Sequence, residues 1–150
     1  MIRVQREDFD VGAEIAALTK GRKGVGAVVA FIGLVRDMAG EEPIGAMTLE
    51  HYPGMTERRL AQIEAEAKRL WPLETTLIIH RYGRLEPGDQ IVLVVTASEH
   101  RQAAFEASRF LIDWLKTKAP FWKLEETPEG SRWVDARAAD DKAAGRWVEK

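Results

Sequence analysis

The stretch that decides the fold runs from residue 98 to residue 125 and reads Ser98-Glu-His-Arg-Gln-Ala-Ala-Phe-Glu-Ala-Ser-Arg-Phe-Leu-Ile-Asp-Trp-Leu-Lys-Thr-Lys-Ala-Pro-Phe-Trp-Lys-Leu-Glu125. Apolar side chains recur at helical spacing after Ser98, which predicts an amphipathic helix packed on a sheet. Ser98 is the expected N-cap, because its hydroxyl oxygen can accept a backbone N–H. Pro120 cannot continue the helix, and the alternation that follows it predicts a short strand.

Cationic side chains lie at each transition of this stretch. His100 and Arg101 fall in the first helical turn, where backbone N–H groups and the helix dipole favour an anion. Lys116 falls in the last turn, where a cation complements the dipole, and Lys123 shares a strand face with Glu125. A lysine that is partly desolvated near other cations can act as acid, base or nucleophile. Structural and functional interpretations of these cations both stay open on the sequence pattern.

The same periodicities predict the remaining elements around this stretch. The apolar runs from Gly26 to Val35 and from Ile91 to Val95 are typical of strands buried on both faces. A Pro-Gly turn before the second run predicts that it pairs with residues 75–82 as a hairpin. Further strands are predicted at residues 1–5, 46–52 and 133–137, and further helices at residues 11–18, with Asp8 as N-cap, and at residues 55–70.

Composition bounds the class of protein. The chain has 150 residues, which suits a single domain over residues 1–150, with a polar tail over residues 138–150. Its net charge of −2 gives no general attraction to nucleic acid or to anionic membranes. No apolar run is long enough to span a membrane and no signal peptide precedes the first strand, so we expect a cytoplasmic protein.

The absence of cysteine removes several kinds of chemistry together. Disulfides, zinc–thiolate sites, iron–sulfur clusters and thiol nucleophiles all require cysteine. The three histidines are not spaced as paired metal ligands on one helix, so we expect neither a metal nor a cofactor. His51 and His80 lie inside strand patterns and are interpreted as structural. Ser98 and His100, two positions apart, would suit a hydrolase, but no nucleophile-elbow glycine pattern surrounds the serine.

Several blocks of the sequence resemble the large, catalytic subunit of molybdopterin synthase, the MoaE type. The blocks cover nearly the whole chain in the order of that family, and the last is the most specific. They are Gly26-Ala-Val-Val-Ala-Phe-Ile-Gly-Leu-Val-Arg36, Leu49-Glu-His-Tyr-Pro-Gly-Met55, His80-Arg-Tyr-Gly-Arg-Leu85 with Pro87-Gly88-Asp89, His100-Arg-Gln-Ala-Ala-Phe105, and Asp113-Trp-Leu-Lys116 with Ala119-Pro-Phe-Trp-Lys-Leu-Glu125.

The resemblance implies an α+β fold of the α/β hammerhead type, with a mixed or antiparallel sheet and packed helices. It also implies a sulfurtransferase whose large subunit forms a homodimer. Each copy would bind a small ubiquitin-like sulfur carrier, giving a heterotetramer. The thiocarboxylate at the carrier's C-terminal Gly-Gly would supply sulfur to cyclic pyranopterin monophosphate, forming the dithiolene of molybdopterin.

The resemblance further implies which residues do this work. Lys116 and Lys123 match the family's essential lysines, and Arg137 matches an arginine contributed across the dimer. The remaining substrate-contacting positions are Leu34, Val35, Arg36, His100, Arg101, Leu124 and Glu125. We expect Arg36, which ends a strand, to hold the pterin phosphate together with His100 and Arg101. Two other classes stay open: a non-catalytic module that grips a Gly-Gly tail, and a phosphate-ester hydrolase that uses His100.

Overall fold

The computed structural model describes residues 1–39, 42–134, 145 and 147. Two four-stranded sheets, a two-stranded sheet of Met38–Ala39 and Glu42–Pro43, and three helices form this part of the chain. The elements in chain order are β1 (Ile2–Gln5), α1 (Val11–Thr19), β2 (Ala27–Leu34), β3 (Met38–Ala39), β4 (Glu42–Pro43), β5 (Ala46–His51), α2 (Met55–Leu70), β6 (Leu73–Arg81), β7 (Gly83–Leu85), β8 (Gln90–Ser98), α3 (Arg101–Lys118), β9 (Phe121–Thr127) and β10 (Gly130–Val134).

The first sheet has the strand order β1-β6-β8-β2, and the second has the order β10-β9-β5-β7. In the first sheet β1 runs parallel to β6, whereas β6–β8 and β8–β2 are antiparallel pairs. All pairs of the second sheet are antiparallel. The predicted hairpin is therefore confirmed as β6 and β8, and the expected α+β class with mixed and antiparallel sheets is confirmed with it.

Apolar side chains fill the space on both faces of the first sheet. Helices α2 and α3 cover one face, α1 covers the other, and a third cluster lies where the two sheets meet. Burying each large aliphatic side chain contributes about 1.5–3 kcal/mol, so these layers are the main source of stability. The largest fully buried side chains are Leu49, Leu60, Leu77, Ile78, Ile79, Leu85, Leu93 and Leu111.

The prediction that β2 is buried on both faces is wrong. Val28, Ile32 and Leu34 are 39%, 36% and 53% exposed, respectively. The reason is the position of β2 at the edge of the first sheet, where α3 covers one face while α1 packs mainly over the neighbouring strands. An apolar run specifies a strand, but it does not specify how much of the strand a helix covers.

Two predicted helix caps are also wrong. The N-cap of α1 is Asp10, whose carboxylate accepts the Ala13 N–H, whereas Asp8 accepts hydrogen bonds from the Phe9 N–H and the Gln90 amide. Ser98 does not cap α3, because it is still in β8 and its hydroxyl donates to the Pro72 carbonyl. Both side chains bond instead to residues that are distant in the sequence, Gln90 and Pro72, and in each helix the N-cap lies two residues further along the chain.

The described residues extend the predictions in two places. β7 begins at Gly83 and carries the chain from the first sheet to the second; the Gly83 φ of 93° is one that residues with a Cβ rarely adopt. Of the last predicted strand, at residues 133–137, only residues 133–134 are described; they end β10, which begins earlier, at Gly130. Positions 135–137 lie outside the described residues, as does most of the predicted tail. Within that tail, the Trp147 ring packs edge-on against Trp71 and Phe110, and its indole N–H donates to Asp113.

None of the helices in the described ranges is long and apolar enough to cross a membrane.

We predict that Gly26→Ala lowers the free energy of unfolding by about 1–3 kcal/mol, the usual cost of overpacking. A Cβ at this position would lie 2.2 Å from the Glu99 carbonyl oxygen, and the backbone there cannot move without disturbing the β2–β8 pairing. Urea unfolding followed by tryptophan fluorescence measures the change. Gly12→Ala is the matched control, because its Cβ would meet only an ordinary contact at 3.6 Å. Equal stability of the two variants would contradict the prediction.

Candidate active site

A cavity of about 270 Å³ lies between the two sheets and the C-terminal part of α3. Most of the lining residues are apolar and come from β2, β8, β5 and α3, whereas five are polar or charged. The apolar lining includes Phe31, Val92, Val94, Met47, Leu49, Ile112 and Leu115, and the polar lining consists of Arg36, His80, Lys116, Lys123 and Glu125.

The turn between α3 and β9 brings the two lysines together. Lys116 lies in the last turn of α3, which ends at Lys118, and Pro120 prevents another turn. The Phe121 N–H donates to the Ala119 carbonyl, and the chain then runs back along β5 as β9. Alternation along β9 turns Lys123 toward the cavity, as the sequence predicts.

Glu125 is the third β9 residue that lines the cavity, after Phe121 and Lys123. It is only 7% exposed, and a guanidinium nitrogen of Arg132 on β10 lies 3.6 Å from its carboxylate. Leu124, between Lys123 and Glu125, points to the opposite face of β9 and is not part of the lining. The prediction that Lys123 and Glu125 share one face of the strand, with Leu124 on the other, is therefore confirmed. Leu124 does not line the cavity with them.

Residues 34–36 reach the cavity from the end of β2. Leu34 and Arg36 line it, but Val35 is buried in an apolar cluster with Met47 and Leu49. The Val35 backbone is fixed on both sides, since its N–H donates to the Asp89 carbonyl and its own carbonyl accepts the Gly88 N–H. Val35 therefore holds its neighbours in place instead of contacting the cavity.

His100 and Arg101 do not reach this cavity within one chain. They lie at the N-terminal end of α3, roughly 20 Å along the helix axis from Lys116 at 1.5 Å per residue. β2 runs antiparallel to β8, so its Arg36 end is also far from the α3 N-terminus. The expectation that Arg36, His100 and Arg101 form one crevice is therefore wrong for a single chain. His100 is 82% exposed, and Arg137 lies outside the described residues.

His80 is the cavity residue that the sequence interpretation missed. It lies near the end of β6, is 5% exposed, and stacks flat on the Phe121 ring at 3.7 Å. Its Nδ1 lies 2.8 Å from the Arg81 carbonyl oxygen, which can only accept, so Nδ1 carries the proton. A histidine in an apolar strand usually fills a core position, and no local sequence signal distinguishes this one.

Burial keeps the His80 ring uncharged. Burial is the largest of the effects that together lower the pKa of His80 to about 4. The nearby Lys123, His51 and Lys116 act in the same direction, and the hydrogen bond to the Arg81 carbonyl opposes them. At neutral pH the side chain is therefore an imidazole with one donor and one acceptor nitrogen.

The cations stand at the rim of the cavity. Arg36, Lys116 and Lys123 are all exposed, while the groups deeper in the cavity are apolar or buried. In one chain both lysine side chains therefore remain in contact with solvent. Anions that enter the cavity would meet three positive charges at its mouth and a water-poor interior behind them.

Comparison with known proteins identifies the family of this chain. Residues 4–118 match the family model described as "MoaE protein". The chain belongs to the MoaE family. The family model ends at Lys118, so it covers Arg36, His80 and Lys116 but not Lys123.

Longer MoaE-family relatives cover the remaining segment. The chain is 57% identical to a molybdopterin synthase catalytic subunit from Mesorhizobium japonicum, over 97% of this chain and 92% of the relative. It is also 57% identical to the protein of the same name from Pseudomonas aeruginosa, over 99% of both chains. A solved structure of the molybdopterin biosynthesis MoaE protein from Burkholderia ambifaria is 54% identical, covers 98% and 97% of the two chains, and has a TM-score of 0.84.

We predict that His80 makes the folded protein less stable at pH 5 than at pH 7. Below pH 6.5 the unfolded chain binds a proton at this ring more readily than the folded chain, so stability falls as the pH falls toward 4. The contribution between pH 7 and pH 5 is about 2 kcal/mol. Urea unfolding at both pH values should show a smaller fall in His80→Gln than in the parent chain.

His100→Gln is the matched control for this measurement, because that ring is exposed and the His80 contribution remains. The fall in stability should persist in the control. A fall of the same size in His80→Gln would show that the buried ring does not cause it.

Proposed function

We propose that this chain is the catalytic subunit of a cytoplasmic molybdopterin synthase. It transfers two sulfurs to cyclic pyranopterin monophosphate, one from the C-terminal thiocarboxylate of each of two small ubiquitin-like carriers, which leave as carboxylates, and so forms the dithiolene of molybdopterin. The observation that carries the proposal is the convergence of Arg36, Lys116 and Lys123 on one cavity. The names of the full-length relatives support the same activity.

The charge and size of the cavity suit the two reactants. Both the pterin phosphate and the thiocarboxylate are anions, and each needs positive charge on entering an interior of low polarity. A volume of about 270 Å³ is close to the lower end of small-molecule sites, which span roughly 300–1,000 Å³, and it is too little for a folded partner. The carrier would therefore insert only its narrow Gly-Gly tail, and its globular part would cover the mouth.

The chemistry of the chain itself requires sulfur to arrive on another molecule. The sequence contains no cysteine, so no persulfide can form on it. Arg36 would hold the phosphate through its fork of donors. Lys123 would act as acid, base or transient amine during ring opening, and Lys116 would stabilise the developing negative charge.

Closure of the site is part of the proposal. The two lysines are exposed in one chain, and a lysine acts well as base or nucleophile only when it is partly desolvated. Bound carrier and substrate would remove that water. If the lysines become reactive only when both reactants are bound, hydrolysis of the thiocarboxylate in the absence of the pterin would also be limited.

A homodimer would complete the anion site. α3 holds His100 and Arg101 too far from Lys116 for one chain to use them together. A second copy can supply them, because a two-fold interface places the same surface patch of each chain against the other. The exposed Phe105, one turn further along α3, is an apolar group next to these cations and suits such an interface. Arg137 would come from the partner in the same way, and two carriers would complete a heterotetramer.

We predict that Lys116→Ala and Lys123→Ala each reduce product formation by at least about 10²-fold, because each removes a charge or a proton-transfer group at the reacting atoms. The assay combines the full-length chain with thiocarboxylated carrier and the pterin precursor and measures sulfurated pterin. Lys118→Ala is the matched control, since Lys118 belongs to the same helix end but its ammonium lies over the Trp114 ring at 5.5 Å.

The outcomes of this assay separate the function classes. Near-normal turnover in either lysine variant would refute its catalytic role. A parent chain that binds the carrier tail without sulfurating the pterin would be a binding module. Hydrolysis of the cyclic phosphate of the precursor without sulfur transfer would indicate a phosphate-ester hydrolase, and its loss in His100→Gln would assign that activity to His100.

We also predict that two inactive variants restore activity when combined. Lys123→Ala and Arg101→Ala would each be inactive alone, but a mixed dimer contains one site with both groups intact. Random pairing leaves about a quarter of all sites intact, so a co-refolded equimolar mixture should recover that share of the parent rate. Native mass spectrometry of differently tagged chains confirms that mixed dimers are present. No recovery in their presence would place Arg101 and Lys123 in the same site of one chain, or Arg101 outside the site.

A further inference from the structure

One polar atom in the cavity has no role in the mechanism above. His80 uses Nδ1 to donate to the Arg81 carbonyl, which leaves Nε2 as the acceptor of the neutral ring. Among the described residues, no group hydrogen-bonds to Nε2. Nε2 is not among the fully buried side-chain atoms that lack a partner in the described residues, so it is open to the cavity that the ring lines. An atom of this kind, in a wall of a ligand cavity, indicates a position that a ligand donor fills.

The ring is held so that it cannot turn away from the cavity. The Phe121 ring covers one face at 3.7 Å with an interplanar angle of 17°, and the Nδ1 bond fixes the tilt. Phe121 in turn contacts His51, whose Nδ1 lies 3.2 Å from the Thr56 hydroxyl. This chain of contacts joins β6 to β9 and β5, so Nε2 is preorganised before any ligand binds.

We propose that Nε2 of His80 accepts a hydrogen bond from an N–H donor on the heterocycle of the substrate. The inference rests on the proposed function, because that function supplies a ligand with a ring. A pterin carries ring N–H groups and an exocyclic amino group, which are donors that the cationic side chains of the site cannot recognise. Arg36, Lys116 and Lys123 would bind the anionic groups, and His80 would recognise the uncharged part.

The charge state of the ring makes this division of work possible. Burial and the neighbouring lysines keep the pKa of His80 low, so the ring stays an acceptor at neutral pH. A charged imidazolium would have two donors and would reject an N–H group. His80 therefore gives the cavity an acceptor that distinguishes a phosphate carrying a donor-rich heterocycle from a simple phosphate.

Three variants test the proposal in the full-length chain. His80→Phe keeps an aromatic ring against Phe121 but removes the acceptor, and His80→Gln restores an amide oxygen near the position of Nε2. His51→Phe is the matched control, because His51 also contacts Phe121 but does not line the cavity. Far-ultraviolet circular dichroism and urea midpoints establish that each variant is folded.

Calorimetry with cyclic pyranopterin monophosphate, without carrier, measures the effect. We expect His80→Phe to weaken binding and to raise KM about tenfold, the value of one hydrogen bond, with a smaller change in kcat. His80→Gln should recover most of the affinity, and His51→Phe should bind as the parent does. Inorganic phosphate, titrated as a competitor, should bind His80→Phe and the parent equally.

Other results would overturn the proposal. Parent-like affinity in His80→Phe would show that Nε2 makes no bond to the ligand. Equal loss in His80→Phe, His80→Gln and His51→Phe would show that the stack only supports packing. A fall in kcat without a change in KM would show that His80 acts on a lysine instead of the ring. If the parent binds the pterin but yields no sulfurated product, the proposed function fails while the inference about His80 stands.

Discussion

The interaction on which the site depends is the interruption of α3 at Pro120. Proline lacks the N–H that the next helical turn needs, and its ring collides with the preceding turn. Had the helix continued, Lys123 would lie about 10 Å further along the axis from Lys116, away from the cavity. The chain instead turns back at Phe121 into β9, so a helix and a strand present the two lysines to the same space.

The stack of His80 on Phe121 secures that turn. Phe121 is the first residue of β9, and its ring lies flat on a ring from the other sheet, so the beginning of β9 is tied to β6. Lys123 follows two residues later on the same face. The contact that holds the neutral acceptor in place therefore also sets the direction from which Lys123 approaches. Under the proposed function, binding of the heterocycle and placement of the lysine would share one physical support.

Local periodicity explains which features the sequence could predict. The bounds of α2 agree with the predicted residues 55–70, and the opposite faces of Lys123 and Leu124 follow from strict alternation. Features that depend on distant partners could not be predicted. The exposure of Val28 depends on where α1 packs, and the role of His80 depends on Phe121, which is 41 positions away along the printed sequence. His80 lies in an apolar strand, so the sequence around it is the same as that around a residue of the core.

The positions of the charges give the strongest reason for treating the single chain as half of a working site. Exposed cations at the mouth of a cavity are strongly hydrated, and surface charges of this kind bind anions weakly. A covering partner removes water from all of them at once and strengthens each electrostatic interaction. The distance along α3 between Arg101 and Lys116 requires that cover to include a second copy if both residues act on one substrate. Assembly would then be the step that turns three rim cations and one neutral acceptor into a catalyst.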